Sequence, residues 1–376
     1  MLQQNRSFNL SFKATKAVAA TMMLGCLGFF VTGCAGKNVS KVELPNELPQ
    51  ELQTKFEVRD TPVPAPKASP EVILTSEDQA ELAKKLEKQK HLSAKAAARA
   101  AKAEAKKLAK LGTERKKAGP QYPNRRPAKD PIWVGEKFLF EITYFGMAAG
   151  DFTVEVGPFK AIQDRKVYHI QAHAESSSVF SMFYRLNDSI ESFIDYEGIF
   201  SHRFHLILDE TKQSRDALEL YDYDKLRTFY WNKWNHRDRG YSESKEYGDI
   251  PPWSQDSVSA LYYVRTLPLK DGDVYTFPVV SEGKPWEAVV TVLRREIVDS
   301  PMGKVQAIVV KPETKFRGVL QKRGDSFIWL TDDDRRIPIR LEAKVKIGTV
   351  VGSLKQVVSY GTAPQPDASP SPTASP

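Results

Sequence analysis

From Trp133 to Tyr360 apolar and polar residues alternate with a period of two, which restricts this part of the chain to β-structure. The plainest case comes late: Ile339, Leu341, Ala343 and Val345 oppose Arg340, Glu342, Lys344 and Lys346, a strand with one face in a core and one in water. An earlier run pairs Phe138, Phe140, Ile142 and Tyr144 against Lys137, Leu139, Glu141 and Thr143. The small-residue stretch Gly146–Gly150 then reads as the turn of a hairpin returning through Phe152, Val154 and Val156. Further strands are expected at 167–174, 189–196, 201–208, 217–223, 226–231, 286–298, 304–310, 327–330 and 351–358. One helix interrupts them, with Ser254 as N-cap, Asp256 in the first turn and Pro268 as the stop. Connections this short require antiparallel meanders. The expected fold is mainly β: one large curved antiparallel sheet or partial barrel, over residues 130–360, with one packed helix.

What precedes the sheet differs in kind. A basic start (Arg6, Lys13, Lys16) leads into an uncharged apolar run from Ala17 to Val31, the layout of a secretory signal over residues 1–33. It ends in Val31-Thr32-Gly33-Cys34, which resembles the bacterial lipobox; Cys26 is a second, less well-spaced candidate. That resemblance implies cleavage before Cys34, acylation of its thiol (palmitate among the groups attached) and a membrane anchor. Residues 34–75 are Pro-rich with few aromatics and read as an extended tether. Residues 76–118, largely Ala, Lys, Leu and Glu, read as a long basic helical spacer without an apolar seam. The tail, 361–376, is low in complexity and reads as disordered.

Charge follows this division. The chain carries +8, of which the signal supplies +3 and residues 82–117, with thirteen Lys/Arg against three Glu, supply +10, leaving −5 elsewhere. The folded part therefore gives a nucleic-acid partner no electrostatic support. The basic run is instead matched to anionic cell-wall polymer or lipid headgroups. Both cysteines lie in the targeting segment, so the rest offers no disulfide, thiolate ligand or cysteine nucleophile.

Several motifs in the β region carry a resemblance. They are Gly135-Glu136-Lys137-Phe138, Ala149-Gly150, Asp256-x-x-Ser259-Ala260-Leu261-Tyr262, Arg265-x-Leu267-Pro268, Trp329 to Asp333, Arg336 to Arg340 and Ile347 to Val350. Together they resemble the bacterial exported family known as domain of unknown function 3108, over roughly residues 130–360. The resemblance implies a mainly β periplasmic fold and supplies no catalytic residue.

Local searches for chemistry give little. His169 and His173 share a face but stand ~13 Å apart along a strand, and His202 and His205 point to opposite faces, so no shared ion is expected. These histidines read as ordinary half-exposed strand residues. Asp332-Asp333-Asp334 lacks the spacing of a calcium loop and is flanked by Arg335 and Arg336, so it reads as an acidic turn. Ser242-x-x-Lys245 has the spelling of a serine acyltransferase motif but falls in what reads as a charged loop. No catalytic residue, metal or cofactor is assigned. Aromatics crowd residues 229–253, and two readings stand: a core cluster with a hairpin tip, or a platform of Trp231, Trp234, Tyr241 and Trp253 for a lipid or glycan.

The combined expectation is a cell-envelope lipoprotein facing the periplasm, at the outer membrane in preference to the inner, with a non-enzymatic β domain that binds a lipid, a glycan or a protein. Two rivals are an envelope hydrolase or transferase with a distributed carboxylate site, and a structural spacer between membrane and wall.

Overall fold

The computed structural model describes residues 40–42, 48–60, 121–316, 319–320, 325–345 and 348–364. The signal with Cys34, the basic run 76–118 and the tail from residue 365 lie outside the described residues.

Fifteen strands make one antiparallel sheet. The first meander is β1 (Val134–Tyr144), β2 (Met147–Ile162), β3 (Arg165–Ser176), β4 (Asn187–Asp195), β5 (Ser201–Asp209), β6 (Gln213–Asp222), β7 (Arg227–His236) and β8 (Gly240–Asp249). The second is β9 (Val274–Ser281), β10 (Lys284–Ser300), β11 (Gly303–Phe316), the short β12 (Val319–Leu320), β13 (Ser326–Thr331), β14 (Pro338–Lys344) and β15 (Thr349–Thr362). Within each meander neighbours in sequence are neighbours in space, with β12 set beside β11, and β1 pairs β15 to join the two. The path is β8 to β1, then β15 back to β9.

The sheet rolls until its two ends approach each other, with β8 and β9 left unpaired to one another as strands. Gly283, in the turn between β9 and β10, donates its N–H to Glu219 of β6 at 2.9 Å. A Cβ built on Gly248 of β8 would stand 2.2 Å from the Gly283 carbonyl oxygen, so only glycine permits this approach. The segment leaving β8 crosses the same seam: Gln255 forms a parallel bridge with Val279 of β9.

The interior is filled. Phe138, Phe140, Tyr168 and Ile170 from the first meander meet Val290, Val292, Ile308, Val310, Ile328 and Leu341 from the second. Ala260, Tyr262 and Val264 of helix α3 (Ser259–Arg265) complete this cluster. The alternation at β14 holds as read, with Ile339, Leu341 and Ala343 buried and Arg340 and Glu342 half-exposed.

Four local expectations change. Within the stretch read as tether, Gln50–Lys55 forms helix α1, and Leu52 and Phe56 bury against Ile162, Phe193, Leu220 and Trp231 on the outer face of the sheet. Leu48, Leu52 and Phe56 recur at four-residue spacing, enough for one amphipathic turn despite the prolines around it. The β1–β2 turn is the two residues Phe145-Gly146 alone, and Met147 already belongs to β2. Helix α3 starts later than Ser254: it is the Asp256 carboxylate that caps it, accepting from Val258 N and Ser259 N at 2.7 Å each. Residues 240–249 are a strand and not a loop; as an edge strand exposed on most of its length, β8 shows no alternation to read.

Candidate functional site

The aromatic platform is not assembled. Trp231 and Trp234 are three apart on β7 and face opposite sides. Trp231 lies buried under α1, its indole N–H donating to Glu243 at 2.9 Å. Trp234 donates to Gln213 at 2.8 Å. Tyr241 is exposed on the edge strand, and Trp253 stacks at about 5 Å on Phe200 and Tyr223. The core reading fits Trp231; Tyr241 meets it only through Glu243, to which it also donates at 3.0 Å, and Trp234 and Trp253 stand apart from both.

Ser242 and Lys245 also fall on opposite faces of β8, with the Lys245 ammonium 4.1 Å from the centre of the Trp231 ring. Among the described residues no group of three or more His, Cys, Asp or Glu side chains is placed to hold a metal.

Strand register builds a groove that local motifs do not reveal. One row across β1–β5 places Lys137, Glu155, Gln171, Glu191 and His205 directly opposite one another in turn. The row two residues away runs Thr153, His173, Ser189 and Ile207. Both rows project to the outer face, where they line a concavity of about 380 Å³. Its floor is fixed by the Lys137–Glu155 ion pair at 2.8 Å and by hydrogen bonds between His169 and Glu191 at 2.9 Å and between His205 and Asp216 at 2.6 Å. The His169 imidazole holds the Glu191 carboxyl below the usual range. Hydroxyls, an amide, two imidazoles, an ammonium and two carboxylates converge here without a Phe, Tyr or Trp.

A second concavity, about 60 Å³, sits at the seam where the roll closes. Arg215, Glu219, Tyr230, Asp256, Ser257 and Glu282 line it. Burial pushes the Glu219 carboxyl up to about 8, although Gly283 N–H and the Thr228 hydroxyl donate to it. Burial also raises Asp256, against hydrogen bonds from the Ser192 and Ser201 hydroxyls at 2.6 Å each. Arg215 bridges to Glu282 at 2.8 Å and also donates to the Tyr230 hydroxyl. These bonds stitch β6 to the β9–β10 turn across the seam. The Ser257 hydroxyl is buried and has no hydrogen-bond partner among the described residues.

The sequence motifs prove to be joints of the fold. Glu136 receives Arg265 of α3 at 2.6 Å and Arg335 at 2.7 Å, with Glu136 and Arg265 both fully buried. Asp333 closes the turn before β14, accepting from Arg335 N, Arg336 N and the Thr331 hydroxyl, which makes the Asp332–Asp334 run an acidic turn. His169 and His202 depart from the half-exposed reading: His169 is buried, stacked on Phe193, and His202 is wholly buried, 3.0 Å from Asp195. Burial pushes Asp195 up, but Arg165 and His202 outweigh it and hold the carboxyl at about 2.

The family described as "Protein of unknown function (DUF3108)" matches residues 139–355. No curated protein matches the chain. Among solved structures, the β-barrel-like protein of domain of unknown function DUF1849 from Brucella abortus aligns with TM-score 0.39 and 12% identity, covering 59% of this chain and 96% of that one. A protein from Bacteroides fragilis, described as exported with a YmcC-like fold, aligns at 0.28 and 10%, covering 63% and 98%. One from Parabacteroides distasonis, described as a lipoprotein, aligns at 0.27 and 9%, covering 63% and 99%.

Proposed function

The chain belongs to the DUF3108 family of proteins of unknown function, and from that premise we propose that it is a cell-envelope lipoprotein whose β roll is a non-enzymatic binding module. The anchor is Cys34, the domain faces the periplasm, and the basic run 82–117 contacts anionic wall polymer. The ligand is a hydrated polar molecule of glycan type, taken into the outer groove over β1–β5. The filled interior carries this reading: an apolar ligand needs an apolar cavity, and that space is occupied by Ile328, Leu341, Tyr262 and their neighbours. The groove offers instead the alternating donors and acceptors that a polyhydroxylated ligand needs.

A second reading, a hydrolase or transferase, draws support from Glu219 and Ser257 in the seam cavity. Against it, Asp256 already accepts four hydrogen bonds and Arg215 already neutralises Glu282, so these groups are engaged in holding the seam.

The test is a thermal shift with an N-acetylglucosamine oligosaccharide beside one with palmitate. The oligosaccharide is expected to raise the melting temperature, and Gln171→Ala with His173→Ala to remove the rise. Stabilisation by palmitate would overturn the reading. For the anchor, Cys34→Ser is expected to lose the acyl mass and leave the membrane fraction; unchanged mass and fractionation would reject it.

A further inference from the structure

The strand ends form two rims, and they differ in chemistry. At one rim lie the turns 145–146, 210–212 and 237–239 and the β3–β4 connection 177–186 that holds helix α2 (Ser178–Ser181). Here five large apolar side chains stand in solvent: Phe145 at 60% exposure, Met147 at 61%, Val179 at 68%, Met182 at 81% and Phe183 at 77%. Met182 and Phe183 are the two most exposed large apolar side chains among the described residues.

The five belong to one patch. Ser177 donates its backbone N–H to Ala149 of β2 at 2.9 Å, which seats α2 beside the β1–β2 turn. Phe180 fixes this arrangement by packing with Tyr144, Ala149, Ala343 and Val350. The stretches 142–150 and 176–184 that build the patch contain no charged residue, in a chain where 27% of residues are charged. Exposed apolar surface of this kind marks an interaction site.

The position of the anchor segment selects the partner. Ser40 accepts from Asn235 at 3.2 Å, and Val42 N–H donates to Ser214 at 2.9 Å. These contacts are at the start of β6 and the end of β7, hence at this same rim. Six residues separate Ser40 from Cys34, a reach of about 20 Å at full extension. Charge agrees within the first meander: its four connections at this rim carry four Lys/Arg against two acids, whereas its three at the opposite rim, 163–164, 196–200 and 223–226, carry one against three. We propose that the Phe145–Met147 turn and the Val179–Phe183 segment insert into the interfacial zone of an anionic lipid bilayer, setting the roll upright on the membrane to which Cys34 tethers it. The choice of lipid as occupant rests on the lipoprotein reading above. Aromatic and Met side chains on a rigid rim suit the headgroup boundary, and the basic turns beside them suit its charge.

The test uses the mature chain from residue 34 with Cys34→Ser, which has no acyl chain and no other cysteine. A single cysteine is introduced at Phe183→Cys, or at the opposite rim as Asp334→Cys, and carries an environment-sensitive fluorophore. Vesicles of mixed phosphatidylcholine and phosphatidylglycerol are then added. The expected result is a blue shift at 183 and none at 334. Phe145→Ser with Met182→Ser is expected to lower vesicle partitioning about tenfold, since both side chains are solvent-exposed in the folded chain and their loss leaves the core intact. Vesicle binding with the 183 label still in water would overturn the proposal and assign binding to the basic run 82–117. Equal shifts at both positions would also overturn it. A shift without vesicles that grows with protein concentration would assign the patch to a second copy of the chain instead. The anchor is judged separately by the mass of the native protein: an unacylated chain whose rim still inserts would reject the lipoprotein reading and leave the rim assignment standing.

Discussion

Glu219 is fully buried at the seam, with its carboxyl pushed up from 4.5 to about 8, so the folded protein holds a proton there that the unfolded chain releases. The sign follows: this residue's contribution is fully present below about 4.5 and is lost as pH rises toward about 8, on the order of a few kcal/mol. Asp195 acts the other way and only in acid, between about 3.8 and about 2. The melting temperature is therefore expected to fall between pH 5 and pH 8.5, and Glu219→Gln, a neutral isostere, to flatten that fall. An unchanged slope in the variant would show that Glu219 is ionised in the native seam. None of this was legible in sequence, where Glu219 is one polar residue inside an expected strand and its partner, the β9–β10 turn, arrives from more than sixty residues away. His202 was missed for the same reason, since its partner Asp195, itself held by Arg165 of β3, is supplied by another strand.

At the scale of elements, the alternation of β14 and β15 and the β1–β2 pair were readable because each has one wet face. The edge strand β8 was not, since both its faces are largely exposed and nothing forces a period on it. Helix α1 escaped notice because six residues give too short a window for periodicity, and its stability comes from the surface it covers. Phe56, 1% exposed, should carry most of that docking. Phe56→Ala is expected to cost about 3–5 kcal/mol by chemical denaturation if α1 is integral to the fold. A change below about 0.5 kcal/mol, the range of surface substitutions, would return residues 48–60 to the tether. The groove was invisible for a further reason: its residues come from five strands, and only register places them opposite one another.

For the whole molecule, the general architecture followed from the sequence, but the order of the strands did not, because short connections predict neighbours only within each meander. Among the pairings between strands of the described residues, the long-range one, β1 with β15, sets Val134 against Thr362 and places the first and last strands side by side in the middle of the sheet. Leu354 of β15 lies opposite Phe140 of β1, buried at this joint. Pairing across such a separation in sequence pays its loop-closure entropy late, after the local hairpins have formed. Leu354→Ala should therefore speed unfolding and leave the refolding rate nearly unchanged, whereas Leu206→Ala, within the first meander, should slow refolding. Equal effects on refolding would reject this order. If the chain crosses a membrane unfolded, as the proposed lipoprotein route requires, the arrangement costs time. The leading strand would then emerge first and wait with an open hydrogen-bonding edge until the trailing one is delivered, an aggregation-prone interval whose length is set by the speed of export.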